Sequence, residues 1–313
     1  MTAASGQSSM ACLRELRPSL GRLLDRHLAK AQPWFPHSYI PWSRASNYDG
    51  PLRGTPWAPE QSTLPQAVQD ALVVNLLTED NLPSYHTSIY KVLDDEAWMV
   101  WAHRWTAEEA RHSDALRTYL HVTRAVDPVA LEQWRMRHVS TGYTGDHATA
   151  LHLLAYVTVQ ELATREAHRN AGTACGDPAG QQLMSRIAAD ENLHMMFYRD
   201  LYADALHIAP DLAMQALADV ICAFRMPGAT LPGFHQRALR IAAAGIYDLD
   251  VHREHVLQPL LRTLGVTTLT GLGPDGERAR ERIGQHLERL PAAAQRVREL
   301  AQRAAVAEQQ GTR

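Results

Sequence analysis

Residues 106–116 read TAEEARHSDAL, and residues 188–198 read AADENLHMMFY. The first stretch places Glu109 three residues before His112; the second places Glu191 three residues before His194. Positions i and i+3 share a helix face, so either pair alone can be an ordinary surface contact. With 16 Glu and 16 His in 313 residues, roughly one Glu-x-x-His is expected by chance. In the first stretch Glu108 competes with Glu109 on equal terms. A repeat decides between them: Glu79 lies 30 residues before Glu109, and Glu161 lies 30 before Glu191. That gap suits one helix, a tight connection and an antiparallel return. Two such hairpins make a four-helix bundle with approximate two-fold symmetry.

The rest of the chain agrees with a helical protein. Segments 66–93, 95–121, 128–138, 146–171, 179–207 and 211–223 carry apolar residues at three- and four-residue spacing. Breaks fall at DP (127–128), TGYTGD (141–146), GTACGDP (172–178), APD (209–211) and MPGATLPG (226–233). Long strand-like alternation is absent, so the fold class is all-α. Residues 33–65 are rich in Pro, Trp and Tyr, which suits an ordered irregular segment packed over the bundle. Residues 275–305 alternate Arg and Glu and read as one or two exposed terminal helices. The expected organisation is a flexible stretch over 1–19, one helical domain over 20–305 with its bundle core at about 66–207, and a frayed tail over 306–313. Pro83 cannot donate to the carbonyl of Glu79. Either the first helix runs through it with a loosened backbone, or Pro83 marks a helix start.

Composition narrows the function. A formal net charge of −3 gives no reason to expect nucleic acid as the main partner. Three cysteines without C-x-x-C spacing suit a reducing cytoplasm and argue against a thiolate metal site. The apolar runs LHLLAYVTV and LAMQALADVICAF are too short to span a bilayer, and MTAASGQSSM lacks a signal-peptide pattern.

Four carboxylates inside a bundle are prohibitively costly unless neutralised. Two divalent cations supply four positive charges against them, and each His adds one nitrogen. Mixed oxygen and imidazole donors suit iron or manganese. The same set characterises ferritin-like di-iron and di-manganese carboxylate proteins. The candidate metal ligands are Glu79, Glu109, His112, Glu161, Glu191 and His194.

TEDNLPSYHT (78–87), RWTAEEARH (104–112), QELAT (160–164) and IAADENLH (187–194) resemble the four metal-site motifs of the soluble acyl-(acyl-carrier-protein) desaturases. AKAQPWFPHSYIPW (29–42) resembles that family's N-terminal Trp-Pro segment, and LTGL (269–272) its C-terminal region. MPG (226–228) and AGIYD (244–248) resemble its actinobacterial branch. The resemblance spans roughly residues 20–305. It implies a ferritin-like bundle with additional helices, two iron ions (manganese possible in vitro) and O2-dependent insertion of a double bond. It also implies an acyl chain tethered to acyl carrier protein, electrons from a ferredoxin, and a homodimer. Thr164 matches a residue proposed to assist proton delivery, and the alternative for it is ordinary helix back-bonding. Trp34, Trp105 and Asp190 match residues near the site and, with His112, form a candidate electron-entry route. Plain packing is the alternative for the tryptophans. An acidic carrier protein calls for a basic surface, with candidates in Arg14, Arg17, Arg22, Arg26, Lys30, Arg278, Arg280 and Arg282.

Ala110 and Leu193 stand where plant members carry polar residues, and the Glu79–Glu109 connection is shorter than theirs. Plant regiochemistry is therefore not implied. The competing readings are a di-iron oxygenase or hydroxylase of a biosynthetic intermediate, a ferritin-like iron-binding protein, and a non-catalytic paralogue.

Overall fold

The computed structural model describes residues 3–143, 145, 147–226 and 233–311. The helices α1 (Ala3–Glu15) and α2 (Arg17–Lys30) precede an irregular segment with short 3-10 turns at Pro36–Tyr39, Trp42–Arg44 and Pro59–Gln61. The helices α3 (Gln66–Asp80), α4 (Leu82–Tyr90), α5 (Glu96–Val122), α6 (Pro128–Thr141), α7 (Ala150–Ala174), α8 (Pro178–Ile208) and α9 (Pro210–Ala223) follow. The C-terminal part holds α10 (Phe234–Ala243), α11 (Leu249–Val251), a π-helical turn (His252–Leu257), α12 (Gln258–Thr263) and α13 (Pro274–Gly311). The described residues contain no strand, only an isolated bridge between Tyr48 and Thr55. The architecture is all-α, as expected.

Local chemistry sets the ends of the long helices. The Asp95 carboxylate accepts the Trp98 N–H at 3.2 Å to start α5. Thr149 accepts the His152 N–H at the head of α7, and Asp177 accepts that of Ala179 at the head of α8, just before Pro178. Caps of this kind contribute about 1 kcal/mol each.

Spacing sets which face is buried. On α5 the residues Trp98, Trp101, Trp105, Glu109, His112, Leu116 and Tyr119 follow one another at three or four residues, and all are buried. On α8 the same stripe reads Leu183, Ile187, Glu191, His194, Tyr198 and Leu201. The acids and imidazoles therefore lie within an apolar face, and burying that face carries them into the core.

α3 packs on α5 and α7, α5 on α8, and α7 along α8. Together they form the ferritin-like core. The Glu/His layer divides the hydrophobic interior in two. On one side lie Trp98, Trp101, Leu154, Leu162, Phe197 and Tyr198; on the other lie Leu72, Leu76, Leu116, Tyr119, Leu183 and Ile187.

The structure adds detail to three of these expectations. The segment 66–93 is two helices, because the chain breaks at Asn81 (φ −83°, ψ 11°) and Pro83 sits in the first turn of α4. Without an N–H on Pro83 the helix cannot continue its ladder from Glu79. The Asn81 N–H closes on the Thr78 carbonyl at 3.3 Å, and its buried side chain bonds His138 Nε2 at 3.2 Å. Within the stretch 1–19 expected to be flexible, α1 buries Cys12 and Leu13 and packs on α7 and α8. An amphipathic face at its end anchors it. α13 is one helix running through Pro291 to Gly311; of the tail expected to fray, residues 312 and 313 lie outside the described residues. So do parts of the breaks at 141–146 and 226–233.

Outside the core, α2 packs on α5 and α8, while α10 lies across α3. The link between α10 and α3 is ionic: fully buried Asp70 on α3 accepts from Arg240 Nε at 2.6 Å and pairs with Arg237.

Candidate metal centre

All six carboxylates and imidazoles of the repeat converge in the polar layer. They form two overlapping groups, Glu79–Glu109–His112–Glu191 and Glu109–Glu161–Glu191–His194. Within each group one donor atom per residue lies within 4.8 Å of the others. Glu109 and Glu191 belong to both groups. Glu79 and His112 complete one, and Glu161 and His194 complete the other. All six residues are at most 5 % exposed.

The orientation of each side chain is set from outside the layer. Each of Glu79, Glu161 and Glu191 has one oxygen tied outward. Trp105 Nε1 donates to Glu161 Oε1 at 3.0 Å. Thr164 Oγ1 donates to Glu191 Oε2 at 2.8 Å. His168 Nε2 lies 3.1 Å from Glu79 Oε1, while its Nδ1 meets the Asn75 amide nitrogen at 3.2 Å. The two imidazoles are likewise held by their outer nitrogens. His112 Nε2 lies 3.4 Å from Asp190 Oδ2, and His194 Nε2 lies 3.0 Å from Glu108 Oε2. Donating Nε2–H outward leaves the Nδ1 lone pair facing inward.

The inner atoms are then without hydrogen-bond partners. Glu109 Oε1, Glu161 Oε2, His112 Nδ1 and His194 Nδ1 are all buried and unbonded. His194 Nδ1 stands 2.7 Å from Glu109 Oε1 and His112 Nδ1 stands 3.3 Å from Glu109 Oε2, but neither contact has the alignment of a hydrogen bond. Orphaned buried polar atoms are rare and call for an explanation. Two acceptor oxygens and two imidazole lone pairs pointed at one space fit cations, and the donor set suits iron or manganese.

The electrostatics of the protein alone carry the same strain. Burial pushes Glu79 and Glu161 well above the usual carboxylate range, and the charges of Glu109 and Glu191 add to the push. Burial opposes ionisation of Glu109 as well, but His112 and His194 outweigh it and hold Glu109 well below that range. Both imidazoles are held well above their ordinary value, against burial, chiefly by Glu109. Without cations, therefore, the layer neutralises itself with protons, and cations would displace these protons to expose the Nδ1 lone pairs and inner oxygens.

Outer groups surround this layer. The Asp190 carboxylate also accepts Trp34 Nε1 at 2.6 Å and Arg111 at 3.2 Å, and pairs with Arg186. Trp34, Asp190 and His112 thus form one connected chain. Trp105 is not part of it; it serves Glu161 in the other half. Glu108 is as buried as Glu109 and points outward, accepting from His27 at 2.9 Å and Arg104 at 2.6 Å. Despite burial, the bonds from His194 and His27 hold Glu108 far below the carboxylate range.

Sequence reasoning missed Glu108, His27, His168 and Asn75 as site residues. For His168 a signal was present, because Glu161, Thr164 and His168 follow one helix face at i, i+3 and i+7. Burial depresses His168 to about 4, so this imidazole is neutral.

A cavity of about 110 Å³ reaches the layer at Glu79, Thr164 and His168. Its other walls include Val74, Phe234, Ala238, Ile241 and Tyr247, so α10 roofs it. A smaller cavity of about 20 Å³ touches Trp105 in the other half and is bounded by Tyr85, Ile89, Leu153 and Val157. The basic candidates of the two ends are mostly engaged: Arg17 with Asp95, Arg22 with Asp204, Arg26 with Asp200, Arg278 with Asp275, Arg280 with Glu277 and Arg282 with Asp219. No helix among the described residues is long and apolar enough to cross a membrane.

The chain is similar to known proteins over most of its length. The family model for fatty acid desaturase matches residues 8–312. DesA1 of Mycobacterium tuberculosis, which carries a provisional acyl-(acyl-carrier-protein) desaturase name, is 45% identical over 280 residues, covering 87% of this chain and 82% of its own. The chloroplastic stearoyl-(acyl-carrier-protein) 9-desaturase 6 of Arabidopsis thaliana is 30% identical over 298 residues, covering 87% of this chain and 73% of its own. The X-ray structure of DesA2 from M. tuberculosis H37Rv, provisionally named in the same way, superposes with a TM-score of 0.70 at 30% identity, covering 86% of this chain and 99% of that one.

Proposed function

The chain belongs to the fatty acid desaturase family, and on that premise we propose that it inserts a double bond into an acyl chain carried on acyl carrier protein, using O2, two iron ions and electrons from a ferredoxin. The observation that carries this reading is the set of four buried, unbonded atoms, Glu109 Oε1, Glu161 Oε2, His112 Nδ1 and His194 Nδ1. In this reading Glu79 and His112 would hold one ion and Glu161 and His194 the other, with Glu109 and Glu191 belonging to both donor groups. The bound pair supplies O2 activation and the oxidising power to remove two hydrogens from adjacent methylenes. The overall balance is one –CH2–CH2– unit, O2, two electrons and two protons giving one –CH=CH– unit and two waters.

The chain's own residues do the rest. The apolar walls of the two cavities take the acyl chain and keep water from the reacting carbons. They touch the layer from different halves, at Thr164 and Glu79 and at Trp105, which suits a chain passing alongside it. Thr164 holds Glu191 through its hydroxyl at the cavity wall and keeps a proton there. Trp105 holds Glu161 in register. Trp34, 5 % exposed, connects through Asp190 to His112 and serves as the electron entry. The arginines of the N- and C-terminal segments exchange their surface pairs for an acidic carrier protein, since such exposed pairs are weak. The protein works in the cytoplasm as a homodimer.

The test is reconstitution with iron, O2, a ferredoxin and its reductase, and a panel of acyl carrier protein substrates, read by mass spectrometry. The expected product is lighter by two hydrogens. A hydroxylated product without two-hydrogen loss would replace desaturation with oxygenation on the same centre. Protein that takes up neither iron nor manganese would remove the centre itself.

A further inference from the structure

The two imidazoles of the layer are not equivalent, and the difference comes from a helix outside the core. We propose that His27, acting through Glu108, is the positioning residue that orients His194 for metal binding and makes the ion held by His194 and Glu161 the tighter of the two. This rests on the di-metal reading of the layer.

The geometry is specific. Glu108 Oε2 stands 2.9 Å from His27 Nε2 and 3.0 Å from His194 Nε2, while Oε1 takes Arg104 Nε at 2.6 Å. With the Arg104 guanidinium on Oε1, Oε2 is the acceptor that both rings share, so each imidazole presents Nε2–H to it. For His194 that fixes the tautomer with the Nδ1 lone pair facing Glu109 and Glu161. His27 is itself locked by packing: its ring meets Trp101 edge-on at 4.9 Å and lies nearly parallel to His194 at 5.8 Å. His27 is 4 % exposed and Glu108 3 %, so water does not compete for these bonds.

The other half lacks such a clamp. Asp190 is drawn outward by Trp34 at 2.6 Å, Arg111 at 3.2 Å and Arg186, and its contact with His112 is 3.4 Å long. A shorter outer hydrogen bond makes the imidazole the better donor and narrows its orientation. Arg111 also lies 3.8 Å from Glu108, so one guanidinium stands between the two outer carboxylates. Without the donor of His27, Glu108 has Arg104 and Arg111 drawing it outward and less to hold it against His194.

The test compares wild type with His27→Leu and His27→Gln. Gln keeps an N–H near the Nε2 position; Leu fills the space without a donor. Each protein is titrated with Mn(II) in equilibrium dialysis, metal content is measured, and the loaded forms are examined by electron paramagnetic resonance. Wild type is expected to bind two ions with distinct affinities and show a coupled two-ion spectrum. His27→Leu should weaken the tighter ion by about 10- to 100-fold and give a mononuclear spectrum at metal levels that fill both sites in wild type. His27→Gln should restore the coupled spectrum. If His27→Leu loses its helix content, His27→Asn, whose amide stops short of Glu108, takes its place with the same expectation. Two ions bound with wild-type affinities and an unchanged spectrum in the Leu or Asn protein would overturn the proposal. Wild type binding no ion would instead overturn the di-metal reading beneath it.

Discussion

Raising the pH from about 7 to about 8.5 is expected to destabilise the metal-free protein while leaving the metal-loaded protein level or more stable. The cause is the self-neutralised layer. Glu79 and Glu161 are held well above 4.5, and His112 and His194 well above 6.5. A group whose folded pKa is raised binds its proton more tightly in the native state. Its contribution is fully present below the unfolded pKa and is lost as pH rises through the folded one. Above about pH 7 the unfolded chain has released these protons and the native layer retains them. Each retained proton gives a slope of about 1.4 kcal/mol per pH unit. Counting only two of the four, because the groups interact, gives about 2.7 kcal/mol per unit, or roughly 5 °C in a chain of this size.

Other groups do not blur the window. Glu108, Glu109 and Asp190 are depressed, so their contributions are complete above their unfolded values and vanish only in acid. His168 and His252 are depressed to about 4, so they cost stability only below about pH 6.5. Burial raises Cys12 to about 11, and its loss begins above 9. Calorimetry of chelator-treated and Mn(II)-loaded protein at several pH values reads the effect. A metal-free midpoint that is flat or rising over the window refutes the reasoning, and so does a loaded protein that falls in parallel.

Three further outcomes follow from the same contacts. Glu161→Gln replaces a carboxyl that burial keeps protonated with a neutral amide of the same shape. The metal-free variant should match wild-type stability near pH 6 within about 1 kcal/mol while losing one bound ion by metal analysis; two ions retained would exclude Glu161 as a ligand. Thr164→Val removes the donor to Glu191 and should cut turnover about tenfold or more with both ions retained; unchanged turnover would reduce Thr164 to its back-bonds with the Gln160 and Glu161 carbonyls, at 3.1 Å each. Asp70→Asn uncouples Arg237 and Arg240 from α3 and should cost about 3 kcal/mol, with faster hydrogen exchange over 234–243 and a raised KM, because α10 roofs the larger cavity; unaltered exchange there would show that apolar packing alone holds the roof.

What could be read from the chain was whatever local spacing encodes. Glu109 with His112 and Glu191 with His194 stand one turn apart on one face, and the repeated interval to Glu79 and Glu161 sets the hairpins. The division of labour within the layer was not legible, since sharing of Glu109 and Glu191 depends on how α5 and α8 face each other. Glu108 and Glu109 are adjacent in sequence and similarly buried, yet one points outward and one inward. Only the position of α2, bringing His27 from 81 residues away, shows what Glu108 does. Pro83 by itself is compatible with both a kink and a start; the buried bond from Asn81 to His138 on α6 stabilises the start. The stretch 1–19 reads as flexible because it is polar, but its end carries Cys12 and Leu13, which are buried although Met10 beside them is not.

The two-fold pattern of the layer stops at its outer contacts, and the departures are systematic. Glu161 is held by Trp105, a pure donor, and Glu79 by His168, whose proton position is set by the Asn75 amide. His112 reaches toward Trp34 through Asp190, and His194 toward His27 through Glu108. A symmetric cage would satisfy the charge balance equally well, so charge alone does not account for these differences. In the proposed reaction, reduction, O2 entry and a passing acyl chain would each approach from one side, and a centre serving all three would need distinguishable sides. The indole chain toward the irregular N-terminal segment meets the layer at His112, and the cavity meets it at Glu79 and, through the Thr164 hydroxyl, at Glu191. On the proposed function, electrons arriving at His112 and a substrate lying along the Thr164 cavity would then approach the layer by separate routes.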